Sequence, residues 1–467
     1  MASRSPLLSL VALAGLSWAT ATATPASGPP QERPRPERDQ AAAKPPAPPK
    51  ELTHRESRIR LDQFRSAPHW SVRSVVLAGL DENWHPDLAP ALVEALSGKD
   101  VRLVAQALEA LRRMRPEALR AAATPELVTA LVEQGVPHKQ KLVALRSAEV
   151  LTRIFPAAGA ESRSAWQAHW RKVQPTYTLP EWQGPADTAG DGRSVSSAAD
   201  RALDLSTAGL EICFVIDATG SMQPLLDAVV SSAQETSEVL QGFATELRLA
   251  TVIYRDHEDM PGASDVVEPL TKKLDQAYKA LDKVVAGGGG DIPEAIDAGL
   301  EQALSIEDVG WSKDANKLLI IMGDAPAHER GLQRAVELAR DASADMGTGA
   351  GSVQKRRKLE RSGRKQPPRS AERMDARPFV VSAIAVMHPM GVGQERGVVE
   401  RHLRAIAEAG KGMYAALEVG GGIKGGADAG ARELVQMVVQ MSFGSKYEHE
   451  VRRFLDVYFE YRAARAY

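Results

Sequence analysis

One cysteine, Cys213, in a chain of 467 residues leaves no intrachain disulfide to be made, whatever the redox compartment. It falls inside an apolar run, where it reads as a small buried residue rather than a reactive thiol. No segment reaches the roughly 20 consecutive apolar residues that span a bilayer. The formal net charge is only -2, which gives no global attraction to nucleic acid. The strongly basic stretch from Lys355 to Arg377 contains no aromatic residue on which a base could stack, which argues against specific nucleic-acid recognition. A glycine run, Gly287 to Gly290, precedes a helical pattern, but the lysine and Ser/Thr of a phosphate-binding P-loop are missing.

What is present divides the chain. Arg4, an apolar Leu7 to Trp18 and the alternation Ala19-Thr20-Ala21-Thr22-Ala23 have the layout of a secretory signal over residues 1–23. The expectation is therefore an exported protein, periplasmic, cell-surface or secreted, and with no cysteine near the cleavage site no lipid anchor there. Residues 24–50 alternate proline, alanine and charge without hydrophobic period and read as an extended tether. From 51 to 180, apolar residues recur at helical spacing, as in Val101, Val104, Leu108 and Leu111. Pro86-x-Leu88-x-x-Ala91-Leu92-Val93-Glu94 recurs as Pro125-x-Leu127-x-x-Ala130-Leu131-Val132-Glu133, an offset of 39 residues with two helices per unit, which resembles HEAT-type repeats. Ser71 and Asp100 sit where each would cap a helix start, and Trp166 and Trp170 where they would seal the end of the stack. Residues 181–206, with Gly184, Gly190 and Gly192, read as a linker.

The next stretch, Leu210 to Met222, organises the rest. Ile212 through Ile216 are apolar without a polar break, as suits a central parallel strand covered on both faces. Asp217-Ala218-Thr219-Gly220-Ser221 follows, placing a carboxylate and two hydroxyls at alternate positions just past the carboxyl end of that strand, where open α/β sheets bind ligands. All three are hard oxygen donors, suited to Mg2+ or Mn2+, and the absence of sulfur and imidazole from this loop argues against zinc there. Further strands are expected at Leu247 to Tyr254, near Val266, at Lys317 to Met322 and at Phe379 to Val386. Helices are expected at Gln223 to Leu240, Leu274 to Val285, from Pro293, and from His328 to Ala342. That alternation gives an α/β domain with a doubly wound, mainly parallel sheet, preceded by an all-α region.

Four ordered motifs then carry a resemblance: Asp217-x-Thr219-x-Ser221, Tyr254-Arg255-Asp256-His257, Gly289-Gly290-Asp291-Ile292-Pro293-Glu294, and Gly323-Asp324-Ala325-Pro326 after the apolar run Leu318 to Met322. Over about 207 to 445 the chain resembles von Willebrand factor A domains with a metal-ion-dependent adhesion site. It looks like the branch with a Gly-Gly-Asp-x-Pro-Glu motif, also found joined to an alpha-kinase, although no kinase catalytic segment is recognisable here. The resemblance implies that Asp217, Thr219, Ser221, Asp291 and Asp324 converge from three loops on a divalent ion, Mg2+ with Mn2+ or Ca2+ as alternatives. Asp291 stands where most such domains have a threonine. Asp256, His257, Glu294 and His328 are expected on the rim or behind the ligands.

The leading expectation is a non-enzymatic protein that binds, through the ion, an exposed carboxylate of a protein partner. Two alternatives stay open: a metal-dependent hydrolase with His257 or His328 as base, and a repeat scaffold whose metal is structural. The segment 343–377 reads as a disordered basic insertion that could meet an anionic polymer or a membrane surface. The Gly420 to Gly426 cluster reads as a turn, and 446–467 as a final amphipathic helix that packs Val451, Phe454, Leu455, Tyr458 and Phe459 into the core.

Overall fold

The computed structural model describes residues 52–182, 197–257, 263–288, 293–344, 376–387, 393–418 and 427–465. The signal segment, the tether, Asp291, the Gly420 to Gly426 cluster and all of the basic run except Arg377 lie outside the described residues. Arg377 itself is held against the body, donating from Nη1 to Asp204 at 2.9 Å and to Asn316 at 3.2 Å.

The chain begins with helices. Helix α1 (His54–Ser66) starts on a capping box in which Thr53 and Glu56 satisfy each other's backbone N–H groups. Then come α2 (Trp70–Ala78), a 3-10 turn Pro86–Leu88 leading into α3 (Ala89–Ser97), and α4 (Val101–Arg113). A short α5 (Pro116–Ala122), α6 (Pro125–Ala130) running into a π turn Leu131–Gly135, α7 (Lys141–Ile154) and α8 (Arg163–Val173) complete the region. The 39-residue offset survives as two successive helix pairs, with α3 packed on α6 and α4 on α7, but α5 is interposed. Asp100 caps α4 as its side chain suggests, accepting from Arg102 N at 3.0 Å. Ser71 does not cap. It lies inside α2, whose N-cap is His69, and its hydroxyl donates to the carbonyl of Gly242 in the neighbouring α/β region. Trp166 and Trp170 are both buried, and the indole N–H of Trp170 donates to Thr129 Oγ1 at 3.0 Å.

The stretch 181–206 read as linker contains a helix, α9 (Ala198–Ala208), begun by a Ser197–Asp200 capping box. Gly209, at φ +80°, ends it and turns the chain into the sheet. The strands are β1 (Leu210–Asp217), β2 (Leu247–Tyr254), β3 (Ser264–Thr271), β4 (Asn316–Gly323), β5 (Phe379–Met387) and β6 (Lys411–Glu418), in the order β3-β2-β1-β4-β5-β6. All neighbours are parallel except β3, which runs antiparallel on the edge beside β2. The unbroken apolar composition of β1 is explained by its two covered faces. Leu210, Ile212, Phe214 and Ile216 enter one core, and Cys213 and Val215 the other. Burial also pushes the Cys213 thiol far up, so it is inert.

Between the strands lie α10 (Gln223–Phe243), α11 (Leu274–Leu281), α12 (Ile296–Ala303), α13 (Ile306–Val309) and α14 (Glu329–Ala342), followed by helices Gly393–Ala409, Ala427–Phe443 and Glu448–Arg465. Two sequence expectations shift. Helix α11 stops at Leu281, short of Val285. Helix α12 starts at Ile296 rather than Pro293, because Glu294 N is taken by Pro326 O at 2.9 Å and Ala295 N by Arg255 O at 3.1 Å. Glu294 therefore sits in a parallel bridge with Ala327, not in a helical turn.

The last helix packs Val451, Phe454, Leu455, Tyr458 and Phe459 into the core as expected, and that core is shared. Trp70 of α2 stacks on Tyr458 and contacts Phe454, while Phe243 of α10 meets Phe454 edge-on. Arg453 donates to Asp81 and Glu82, and Gln106 to the Phe454 carbonyl at 2.9 Å. Gly242 allows this junction, since a Cβ there would lie 2.8 Å from Ser71 Oγ.

Candidate functional site

The carboxyl edge of the sheet carries Asp217, Thr219 and Asp324, with Ser221 on the turn that follows β1. Asp217 closes β1 and is fully buried. Its Oδ1 accepts two hydrogen bonds from Thr219, from the backbone N–H at 2.9 Å and from the hydroxyl at 2.7 Å. Its Oδ2 is equally shielded from water and has no hydrogen-bond partner. Such an oxygen is costly in an ionised carboxylate. Burial first, and then the charge of Asp324, push the Asp217 carboxyl up to about 7 against the opposing pull of Thr219 and Arg255.

Tyr254, at the end of β2, reports the same crowding. Its hydroxyl donates to Met322 O at 3.4 Å. Burial, then Asp217, Asp324 and Glu294, raise the phenol well above its ordinary range, so three carboxylates gather around one buried ring. Gly323, just before Asp324, is where the strand must stay bare. A Cβ there would lie 2.5 Å from Tyr254 Oη and 3.5 Å from Asp217 Oδ2. Gly323→Ala is expected to destabilise the protein by about 1–3 kcal/mol, as overpacking does, measured by urea denaturation; a change within about 0.5 kcal/mol would mean that the phenol moves aside freely.

Arg255 ties the loops together. Its Nε donates to Gly287 O at 2.9 Å and to Ala218 O at 3.2 Å, and its Nη2 to Val285 O at 3.2 Å. Backbone bonds add to this, from Gly287 N to Ala218 O at 3.0 Å and from Gly220 N to Gly288 O at 3.4 Å. The glycine loop is thereby laid along the Asp217–Ser221 loop as far as Gly288. Asp291, three residues on, lies outside the described residues. Ser221 is exposed on the 3-10 turn Gly220–Met222, and Asp324 is half-buried at the end of β4.

The rim residues form a separate arrangement. Asp256 is buried, and its Oδ1 accepts from His257 N at 2.6 Å and lies 3.0 Å from His328 Nε2. His257 Nε2 is 3.8 Å from Asp297 Oδ1, and the two imidazoles are 5.5 Å apart between centroids. Asp297 was not legible as a site residue. The one signal was its place three residues after Glu294, in the first turn of α12. The structure thus draws Asp217, Thr219, Asp324 and Glu294 together around Tyr254, and sets Asp256, His257 and His328 beside them with their own carboxylate partners. Chemically, the first set is all oxygen and includes the buried Asp217 Oδ2 that no hydrogen bond satisfies, which fits a hard divalent cation.

Among known proteins, the sequence model for the von Willebrand factor A domain matches residues 211–367. An alpha-protein kinase, vwkA, from Dictyostelium discoideum is 22% identical over 121 residues, 26% of this chain and 19% of that protein. A putative ariadne-like RING finger protein, R811, of Acanthamoeba polyphaga mimivirus is 28% identical over 121 residues, 26% of this chain and 11% of that protein. The matches thus span less than a fifth of those relatives. Similar solved structures include the conserved hypothetical protein BatB from Bacteroides thetaiotaomicron, at 17% identity and TM-score 0.31, covering 50% of this chain and 100% of that one. The SpRpn10 VWA domain aligns at 8% identity and TM-score 0.29, covering 48% and 94%. With a parallel sheet edged by the antiparallel β3 and a sequence match over residues 211–367, the chain carries a von Willebrand factor A domain.

Proposed function

We propose that this domain binds a protein partner through a divalent cation, Mg2+ by preference with Mn2+ or Ca2+ as substitutes, held by Asp217, Thr219, Ser221 and Asp324, with Asp291 as a further ligand. The observation that carries the reading is the buried Asp217 Oδ2, which has no hydrogen-bond partner. A cation would satisfy it, and the carboxylate's raised pKa is the cost of leaving it bare. An ion whose protein carboxylates and hydroxyls fall short of its full shell keeps a coordination position open, and an Asp or Glu side chain of a partner can complete the shell. The helix pairs α3/α4 and α6/α7 are read as a HEAT-type scaffold for the domain, and the protein as exported, which would give the site an extracytoplasmic protein to meet.

The test is titration calorimetry with Mg2+, followed by capture of partners from an envelope extract with and without EDTA. Asp217→Ala is expected to weaken Mg2+ binding by more than about 100-fold, since even outer partners of metal ligands are worth about 10–100-fold. It should also abolish the EDTA-sensitive capture while leaving the far-UV circular dichroism unchanged. Unchanged Mg2+ affinity would refute the site. Loss of fold on chelation would instead make the ion structural. The hydrolase reading has one observation behind it, His328 oriented by Asp256 at 3.0 Å, and Mg2+-dependent turnover lost in His328→Ala would select it.

A further inference from the structure

Far from the sheet edge along the chain, α1 and the 3-10 turn before α3 bring together two imidazoles and a carboxylate. One ring nitrogen each from His54 and His85 and one oxygen of Asp87 lie within 4.8 Å of one another, and among the described residues this is the one His/Cys/Asp/Glu group so gathered. His54 Nδ1 contacts Asp87 Oδ2, His85 Nδ1 is 3.5 Å from the same oxygen, and the two rings meet edge-on with centroids 5.9 Å apart.

We propose that His54, His85 and Asp87 form a second metal site, selective for Zn2+ or a similar borderline divalent ion over Mg2+. Four features support it. Two imidazoles and one carboxylate are the donor set of open three-ligand sites, and nitrogen donors select Zn2+ where the all-oxygen cluster around Asp217 selects Mg2+. The protonation state suits a metal. The Asp87 N–H donates to His85 Nδ1 at 3.2 Å, so that nitrogen carries a lone pair rather than a proton, and an ion would take it in place of this capping hydrogen bond. The carboxylate is also held by Ser57 Oγ, 3.1 Å from Asp87 Oδ2, which shares its proton with the His54 carbonyl at 2.7 Å, in the manner of an outer partner of a metal ligand. Finally, an ion has access. His54 is half-exposed, and the cluster opens on a groove of 750 Å3 lined by Arg58, Leu61, Arg65, Pro90, Val93 and Thr124. With three protein ligands, the fourth position would face that groove.

The ligands come from two segments separated by α2, so the ion would pin the first turn of α1 to the turn that opens α3. Metal binding should then raise the thermal midpoint.

The experiment titrates Zn2+ into the full chain held at saturating Mg2+, so that the oxygen site is filled, and follows heat, thermal midpoint and the visible spectrum with Co2+ as substitute. Wild type is expected to take one Zn2+ per chain at this site, with a rise in midpoint and a Co2+ spectrum of the intensity typical of a four-coordinate ion. His54→Ala and His85→Asn should each weaken Zn2+ by about 100-fold or more and leave Mg2+ affinity untouched. His85→Asn keeps a side chain able to cap the turn, so loss of binding there is not loss of the cap. A His257→Ala, His328→Ala double variant should bind Zn2+ as wild type does. The proposal falls if wild type binds no Zn2+ at saturating Mg2+, if both cluster variants bind it unchanged, or if binding disappears in the double variant instead.

Discussion

Phe454→Ala is expected to destabilise the whole described unit, helices and sheet together, by about 3–5 kcal/mol, the usual cost of removing a fully buried aromatic ring. Phe454 has 0% exposure and stands where three elements meet. Its ring contacts Trp70 of α2 at 5.9 Å, Phe243 of α10 at 5.1 Å and Tyr458 of its own helix at 6.2 Å between centroids. The backbone around it is also committed, since Gln106 of α4 donates to the Phe454 carbonyl. A cavity there cannot close without moving one of those helices, so the cost should sit at the upper part of the range for aromatic truncation. In urea, one cooperative transition should shift to lower concentration. Leu179→Ala, at an exposed leucine, should move it by less than about 0.5 kcal/mol. A shift below about 1 kcal/mol for Phe454→Ala, or a split in which only the sheet region melts early, would show that the helical region does not depend on this junction.

The second large effect is a pH dependence that exists only without the ion. In the folded protein the Asp217 carboxyl titrates near 7, whereas in the unfolded chain it titrates at the ordinary carboxylate value, 3.8. Below the unfolded value both states hold the proton, and this group costs nothing. Between the two values the folded state still holds a proton that the unfolded state has released, so stability falls as pH rises. Above the folded value the full penalty is in force, on the order of 4 kcal/mol at about 1.4 kcal/mol per unit. Asp217→Asn cannot ionise, and its side-chain oxygen can still accept from Thr219. In EDTA, wild type should therefore lose stability from pH 5 to pH 8 relative to Asp217→Asn, and the variant should be the more stable of the two at pH 8. Saturating Mg2+ should restore wild type and leave the variant where it was. Urea midpoints at the two pH values, with and without the ion, decide it. Parallel curves for the two proteins would mean that Asp217 is not the buried, ion-compensated group inferred here.

Both effects bear on how the fold and the site are encoded. The strands were legible because a central parallel strand buries both faces, so Ile212 to Ile216 and Leu318 to Met322 must be apolar without alternation. The ends of those strands were legible with them, which is why Asp217 and Asp324 stand where the sequence suggests. Asp100 was legible as a cap because capping is settled within one turn of chain.

Other features were decided by partners that the local pattern does not name. Ser71 has the form of a cap, but the nearby Gly242 carbonyl takes its hydroxyl. Pro293 and Glu294 have the form of a helix start, but Pro326 claims the Glu294 N–H first and holds the segment extended. The amphipathic pattern of the last helix requires that Phe454 and Tyr458 be covered, without saying that Trp70, nearly four hundred residues earlier in the sequence, covers them. The gathering of His54, with His85 and Asp87 about thirty residues on, is of the same kind. Periodicity and composition fix how much of each element is buried and where its backbone must turn, because those depend on the residue and its near neighbours. Which surfaces meet is a property of the packed chain, so only the tertiary structure decided the shared core, the carboxylates around Tyr254 and the second histidine cluster.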